Sequence, residues 1–190
     1  MKIDFLEPGV VYHIFNRGNN KEDIFKEDKN YIYFLSLVKK YLLPISEIYA
    51  YCLLKNHFHF VVRIKDIEFI DDRYKEKPHL PFSNLFNSYT KAINKTYNRT
   101  GSLFQEHFRR KRIENDEYLM QVVAYVHLNQ VKHGFSDDLN YRYSSYKAYT
   151  SGLPTNISCD YVMSLFENRD NFMYWHNINR MDLKDKIDDI

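Results

Sequence analysis

The sequence predicts an α+β fold, and three observations carry the prediction. Segments with two-residue alternation are interleaved with segments whose apolar residues recur every three or four positions. Two alternating segments are separated only by Lys55-Asn56, a spacing that predicts an antiparallel hairpin. The run from Leu54 to Ile64 reads as a buried strand, yet it carries His57 and His59.

Taken in order, Val10 to Asn16 forms the first strand and Arg17-Gly18-Asn19-Asn20 the turn after it. Asp28 to Leu43 is a helix, because Ile32, Leu35, Val38 and Leu42 keep helical spacing and Pro44 stops it. Ile48 to Leu54 is the second strand, and the histidine strand returns beside it. A charged loop spans Lys65 to Pro78. From Pro81 to Tyr97, Phe82, Leu85, Phe86, Tyr89 and Ile93 mark an amphipathic helix with Tyr89 and Tyr97 in the core. Phe104 to Ile113 supplies a last strand. Asn115-Asp116-Glu117 then caps a helix to Val131, closed by Lys132-His133-Gly134. Strand, helix, strand, strand, helix, strand, helix is the order of a ferredoxin-like split β-α-β sandwich. Helices should cover one face of its antiparallel sheet, with the last helix near the other. Residues 8–136 form the main domain and 137–190 a partly helical extension, with helices at Asp160 to Phe166 and around Phe172 to Trp175 and a charge-rich, disordered stretch from Asp182 to Ile190.

Composition narrows the functional classes. With 27% charged residues and a net charge of +2, a polyanionic partner must be held by a local patch rather than by bulk charge. Cys52 and Cys159 are too few for a disulfide framework or a thiolate zinc site, so a reducing cytoplasm is the expected location. No run of about 18 apolar residues is present to span a bilayer, and no secretion signal is expected. The 17% aromatic content serves a core or base stacking equally.

The chemistry begins with the histidines. Alternation puts His57, His59, Val61 and Arg63 on one side of their strand and Phe58, Phe60, Val62 and Ile64 on the other. Two imidazoles about 6 to 7 Å apart along a strand can converge on one cation, although a solvated histidine pair without metal satisfies the same pattern. On the last helix, Leu119, Val122, Val123 and Val126 make an apolar stripe, while Gln121, Tyr125, Asn129 and Lys132 make a separate polar row. A tyrosine there can attack phosphorus if a cation stabilises the phosphate, and Asn129 can offer an amide oxygen to that cation. Two imidazoles and one carboxamide suit Mg2+ or Mn2+. His127 projects from the opposite side of the helix and is discounted as a ligand. Arg109, Arg110, Lys111 and Arg112 form a cluster suited to phosphate contacts. Alternation divides it into Arg110 with Arg112 and Arg109 with Lys111, so one pair should face a phosphate-bearing partner. Arg17 and Asn19, in the first turn, are further candidates for phosphate or base contacts, and the same residue types also serve as simple turn formers.

Tyr12-His13-Ile14-Phe15-Asn16-Arg17-Gly18-Asn19, His57-Phe58-His59 and Tyr125-Val126-His127-Leu128-Asn129-Gln130-Val131-Lys132-His133-Gly134 together resemble the single-tyrosine HUH transposases, above all the REP-associated tyrosine transposases. The likeness runs in matching order from about Val10 to Gly134 and weakly through Tyr143-Ser144-Ser145-Tyr146. It implies a nuclease that cuts single-stranded DNA beside a hairpin, keeps the 5′ phosphate on tyrosine and frees a 3′ hydroxyl. It further implies His57 and His59 as metal ligands, Tyr125 as nucleophile and Asn129 where related enzymes place a third ligand, often Gln. Gln130 departs from the Pro common after that Asn in the REP-associated branch. The expected partner is hairpin-bearing single-stranded DNA, contacted by Lys132 as well as the residues above, with room for a homodimer. Two other classes compete: a domesticated hairpin-binding protein without turnover, and a metallohydrolase that uses water and forms no covalent intermediate.

Overall fold

The computed structural model describes the backbone of residues 5–188 and the side chains of residues 5–181. Four strands, β1 (Val11–Arg17), β2 (Ser46–Leu54), β3 (His57–Ile64) and β4 (Arg109–Ile113), form one antiparallel sheet in the order β2-β3-β1-β4. Helices α1 (Asp28–Tyr41) and α3 (Leu80–Thr96) make the two crossovers, which gives the expected split β-α-β sandwich. Glu27 and Asn30 cap α1 reciprocally, with the Glu27 backbone N–H donating to Asn30 Oδ1 at 3.0 Å.

The sheet has a core on each face. Tyr12 and Ile14 of β1 and Phe58, Phe60, Val62 and Ile64 of β3 meet α1 and α3 through Phe34, Leu85 and Tyr89. Tyr89 is fully buried and its hydroxyl donates to the Ile24 carbonyl at 2.6 Å, so its polar end is satisfied. Each such buried aromatic contributes about 1.5–3 kcal/mol. Tyr97 differs from expectation: it is half-buried at the end of α3 and hydrogen-bonds Asn30 at the start of α1.

On the opposite face, α4 (Asp116–His127) and the one-turn α5 (Asn129–Lys132) pack over β2 and β3. Asn115 Oδ1 accepts from the Tyr118 backbone N–H at 2.8 Å, and Asp116 and Glu117 complement the helix dipole. A continuous helix to Val131 was expected, but the chain breaks at Leu128 (φ −96°, ψ 3°). No glycine or proline marks the break. Gln130 is buried beyond it, where Cys52 Sγ donates to its Oε1 and its Nε2 donates to the Asp138 carbonyl.

A β-bulge in β2 sets Ile48 opposite Val62 and Ala50 opposite Val61. Ile48 and Leu53 therefore reach the α1 core, while Tyr49, Ala50, Cys52 and Leu54 face α4. Tyr149 anchors the bulge, its hydroxyl donating to the Tyr49 carbonyl at 2.6 Å. The outer edge of β2 is closed by residues 143–145: the Leu53 N–H donates to the Tyr143 carbonyl and the Ser145 N–H to the Tyr51 carbonyl, both at 2.9 Å.

Other elements also depart from expectation. The loop after β3 contains a 3-10 turn (Ile67–Phe69) and the single turn α2 (Asp72–Lys75). The last strand begins at Arg109 rather than Phe104, because His107 takes a left-handed conformation (φ 58°) and only an isolated bridge pairs Phe104 with Gly18. Beyond Gly134, α6 (Tyr146–Thr150), α7 (Cys159–Leu165) and α8 (Arg169–Asp188) follow. Val162, Phe166 and Phe172 share a core cluster with α4 residues, so the extension packs against the sheet rather than standing apart. Helix α8 runs through most of the stretch expected to be disordered; residues 189–190 lie outside the described residues. Among the described residues, no helix is long and apolar enough to cross a membrane.

Candidate active site

The face covered by α4 is where chemistry-bearing side chains collect. Register places Phe15 opposite His59, Arg17 opposite His57 and His13 opposite Val61, so His13, Phe15 and Arg17 of β1 share a face with the histidine pair. Gly18 closes this strand under tight constraint. A Cβ there would stand 2.2 Å from the Glu22 carbonyl oxygen, which excludes any side chain next to Arg17. Phe15, Arg17, Asn56, His57, His59, Gln105, Arg109, Tyr125 and His133 are among the residues that line one open cleft of about 420 Å³.

Tyr125 enters the cleft from α4. Its ring centroid lies 5.7 Å from that of His59 and 5.9 Å from that of His13, edge-on to both. Lys132 Nζ sits 4.7 Å from the same ring, so a cation is held against the phenol. Asn129, the first residue of α5, is fully buried. Its Oδ1 lies 3.1 Å from His57 Nε2, and its Nδ2 is buried without a hydrogen-bond partner.

His57 has an oxygen at each ring nitrogen, Asn56 Oδ1 at 2.7 Å from Nδ1 and Asn129 Oδ1 at 3.1 Å from Nε2. Burial holds its pKa down at about 4, against a smaller upward pull from Asn129 and with His133 and Arg17 adding repulsion. The neutral ring has one N–H to give. If Nδ1–H donates to Asn56, the Nε2 lone pair and Asn129 Oδ1 become two acceptors facing a common point. Neighbouring donors of an octahedral divalent ion bound at about 2.1 Å lie about 3 Å apart, so this pair fits adjacent ligand positions. Burial, then the charges of His13 and His57, drives His59 well below its ordinary pKa, so it too offers a lone pair. Among the described residues no three His, Cys, Asp or Glu side chains are grouped so as to hold a metal ion, so a cation in this cleft would need the Asn129 carboxamide beside the two imidazoles.

The other candidates divide. Arg17 and Arg109 line the cleft, and Arg109 and Lys111 pair with Phe15 and His13, which puts them on the histidine face. Arg110 and Arg112 pair with Ile14 and Tyr12 on the other face. The Arg110 guanidinium stacks 4.8 Å from the Phe108 ring, and Arg112 hydrogen-bonds Glu7 at 3.3 Å. Asn19 is occupied structurally, its Nδ2 donating to the Ser102 carbonyl at 3.2 Å. His127 is turned away, fully buried between His176 (3.0 Å) and Ser145 (2.8 Å). His13 and His133 were not singled out from sequence. The signal for His13 was present, since it stands four residues before Arg17 on a strand and therefore on the same face.

Fold and cleft together define a class: an α+β sandwich whose sheet presents a histidine pair to a tyrosine from a covering helix. No family model and no curated protein matches the chain. Among solved structures, it is similar to a REP-associated tyrosine transposase bound to a REP hairpin, with 17% identity, a TM-score of 0.59 and coverage of 85% of this chain and 92% of that one. The chain has the fold of a REP-associated tyrosine transposase.

Proposed function

We propose that this protein is a single-tyrosine HUH transposase that cleaves and rejoins single-stranded DNA beside a hairpin. The observation that carries the reading is the meeting of Tyr125 with His59 in one open cleft, beside the His57–Asn129 pair. His57, His59 and Asn129 would hold Mg2+ or Mn2+, and when bound that ion supplies polarisation of the scissile phosphate.

The chain's own residues do the rest. Arg17, Arg109 and Lys132 bring positive charge to a phosphate entering the cleft, and Lys111 adds to it from the same face. The Tyr125 hydroxyl oxygen attacks phosphorus in line. One O–P bond forms, the bond from phosphorus to the 3′ oxygen breaks, the phenol proton passes to water and the leaving 3′ oxygen gains a proton. The phosphodiester count is unchanged, so a 3′ hydroxyl of the same or another strand can reverse the step and rejoin DNA without an external energy source.

The test incubates wild type and Tyr125→Phe with labelled hairpin single strands from the protein's own genomic flanks, in Mg2+ or in EDTA, and resolves adducts on denaturing gels. A metal-dependent adduct that is absent from the variant is expected. Binding without an adduct would favour a hairpin-binding protein, and cleavage retained by the variant would favour attack by water.

A further inference from the structure

His13 is a buried histidine behind the cleft with no role in the scheme above. It stands on β1 beside β3, and its Nε2 lies 2.8 Å from His59 Nδ1 with both residues buried. The rings stack at 5.0 Å, Phe15 stacks on His13 at 4.8 Å and on His59 at 5.4 Å, and the Tyr125 edge meets His13 at 5.9 Å. His13 therefore touches both the candidate ligand and the candidate nucleophile.

Two nitrogens 2.8 Å apart share one hydrogen, and its placement decides what His59 offers to the cleft. With the hydrogen on His59 Nδ1, His59 Nε2 is a bare lone pair and can bind a cation. With it on His13 Nε2, His59 carries its own hydrogen on Nε2 and cannot. We infer that His13 is a positioning residue that accepts the hydrogen of His59 Nδ1, fixing the tautomer and ring plane in which His59 binds metal. Metal-binding imidazoles usually hand their second N–H to a carboxylate, a carbonyl or water. Here a second imidazole fills that place, stacked on Phe15 and on His59 itself.

This inference rests on the proposed metal site, and its test separates the two. Mn2+ affinity is measured by calorimetry and electron paramagnetic resonance on metal-free wild type, His13→Phe and His13→Gln, with hairpin binding in EDTA and circular dichroism as parallel readouts. His13→Phe keeps a flat ring for stacking but has no acceptor; His13→Gln keeps an acceptor oxygen. His13→Phe should bind Mn2+ about 10- to 100-fold more weakly, the range found for partners behind a ligand. His13→Gln should recover most of that loss, with folding and metal-free hairpin binding unchanged in both. Wild-type Mn2+ affinity in folded His13→Phe would overturn the inference, and so would equal losses in both variants. Failure of wild type itself to bind Mn2+ would instead overturn the proposed metal site, and this inference with it.

Discussion

Asn129 places an unpartnered amide nitrogen in the protein interior, and Asn129→Leu tests whether that cost is real. The two side chains have the same number of heavy atoms and both branch at Cγ, so no cavity arises. In the metal-free protein the substitution removes a buried donor without a partner, worth about 1–3 kcal/mol. It also removes the contact with His57 Nε2, worth about 0.5–1.5 kcal/mol if the imidazole donates there. The difference is a stabilisation of about 1 kcal/mol, equivalent to about 2–4 °C in Tm for a chain of this size. Urea unfolding in EDTA measures it as a raised midpoint at constant m-value. Adding Mn2+ should then separate the proteins in the other direction: wild type gains about 2.7 kcal/mol at one hundred times its Kd, and the variant loses most of that gain. A variant destabilised by more than about 2 kcal/mol in EDTA would refute the reasoning, because the amide would then be holding the fold together.

Phe172→Ala, at a fully buried position of α8, should cost about 3–5 kcal/mol and lower Tm by about 10 °C, showing that the C-terminal helix belongs to the core; a loss below about 1 kcal/mol would contradict the packing. Acid should destabilise the metal-free protein. Burial holds His176 at about 4 against an ordinary value of 6.5, so the unfolded chain binds the proton first and stability falls as pH drops from about 6.5 to 4, by about 3 kcal/mol for this group at the lower end. Urea midpoints that stay flat across that interval would contradict it. Arg109→Gln should weaken hairpin binding and shallow its salt dependence by about one counterion, whereas Arg112→Gln, already hydrogen-bonded to Glu7, should change the slope less; equal slopes would refute the division of the cluster by strand face.

Much of the sandwich was legible because period-two and period-3.6 patterns are local, and Asn115, Pro44 and the Lys55-Asn56 turn punctuate them. The face shared by His57 and His59 followed from alternation alone. Three-dimensional causes hid the rest. Leu128 breaks α4 without a glycine or proline, because Gln130 is drawn into the core by Cys52 and the Asp138 carbonyl. Helices α6 and α8 were missed or shortened because their apolar residues meet β2 and α4, far away in sequence. The place of His13 on the Arg17 face was legible from alternation, but its contact with His59 was not, because it depends on register against β3, and register is a property of two strands rather than of one.

The two rims of the sheet are treated differently. Residues 143–145 seal the β2 rim, while β4 has a partner strand only in β1 among the described residues, leaving its outer rim open. An open rim is a template for recruiting another chain's strand, and ultimately for self-association. Arg109, Arg110, Lys111 and Arg112 occupy that rim, so a second copy laid against it antiparallel would set like charges against each other. The same four cations thus act as gatekeepers of solubility, repelling a copy of the chain. Neutralising them to probe DNA contact carries a second consequence, an increased tendency to aggregate at low ionic strength.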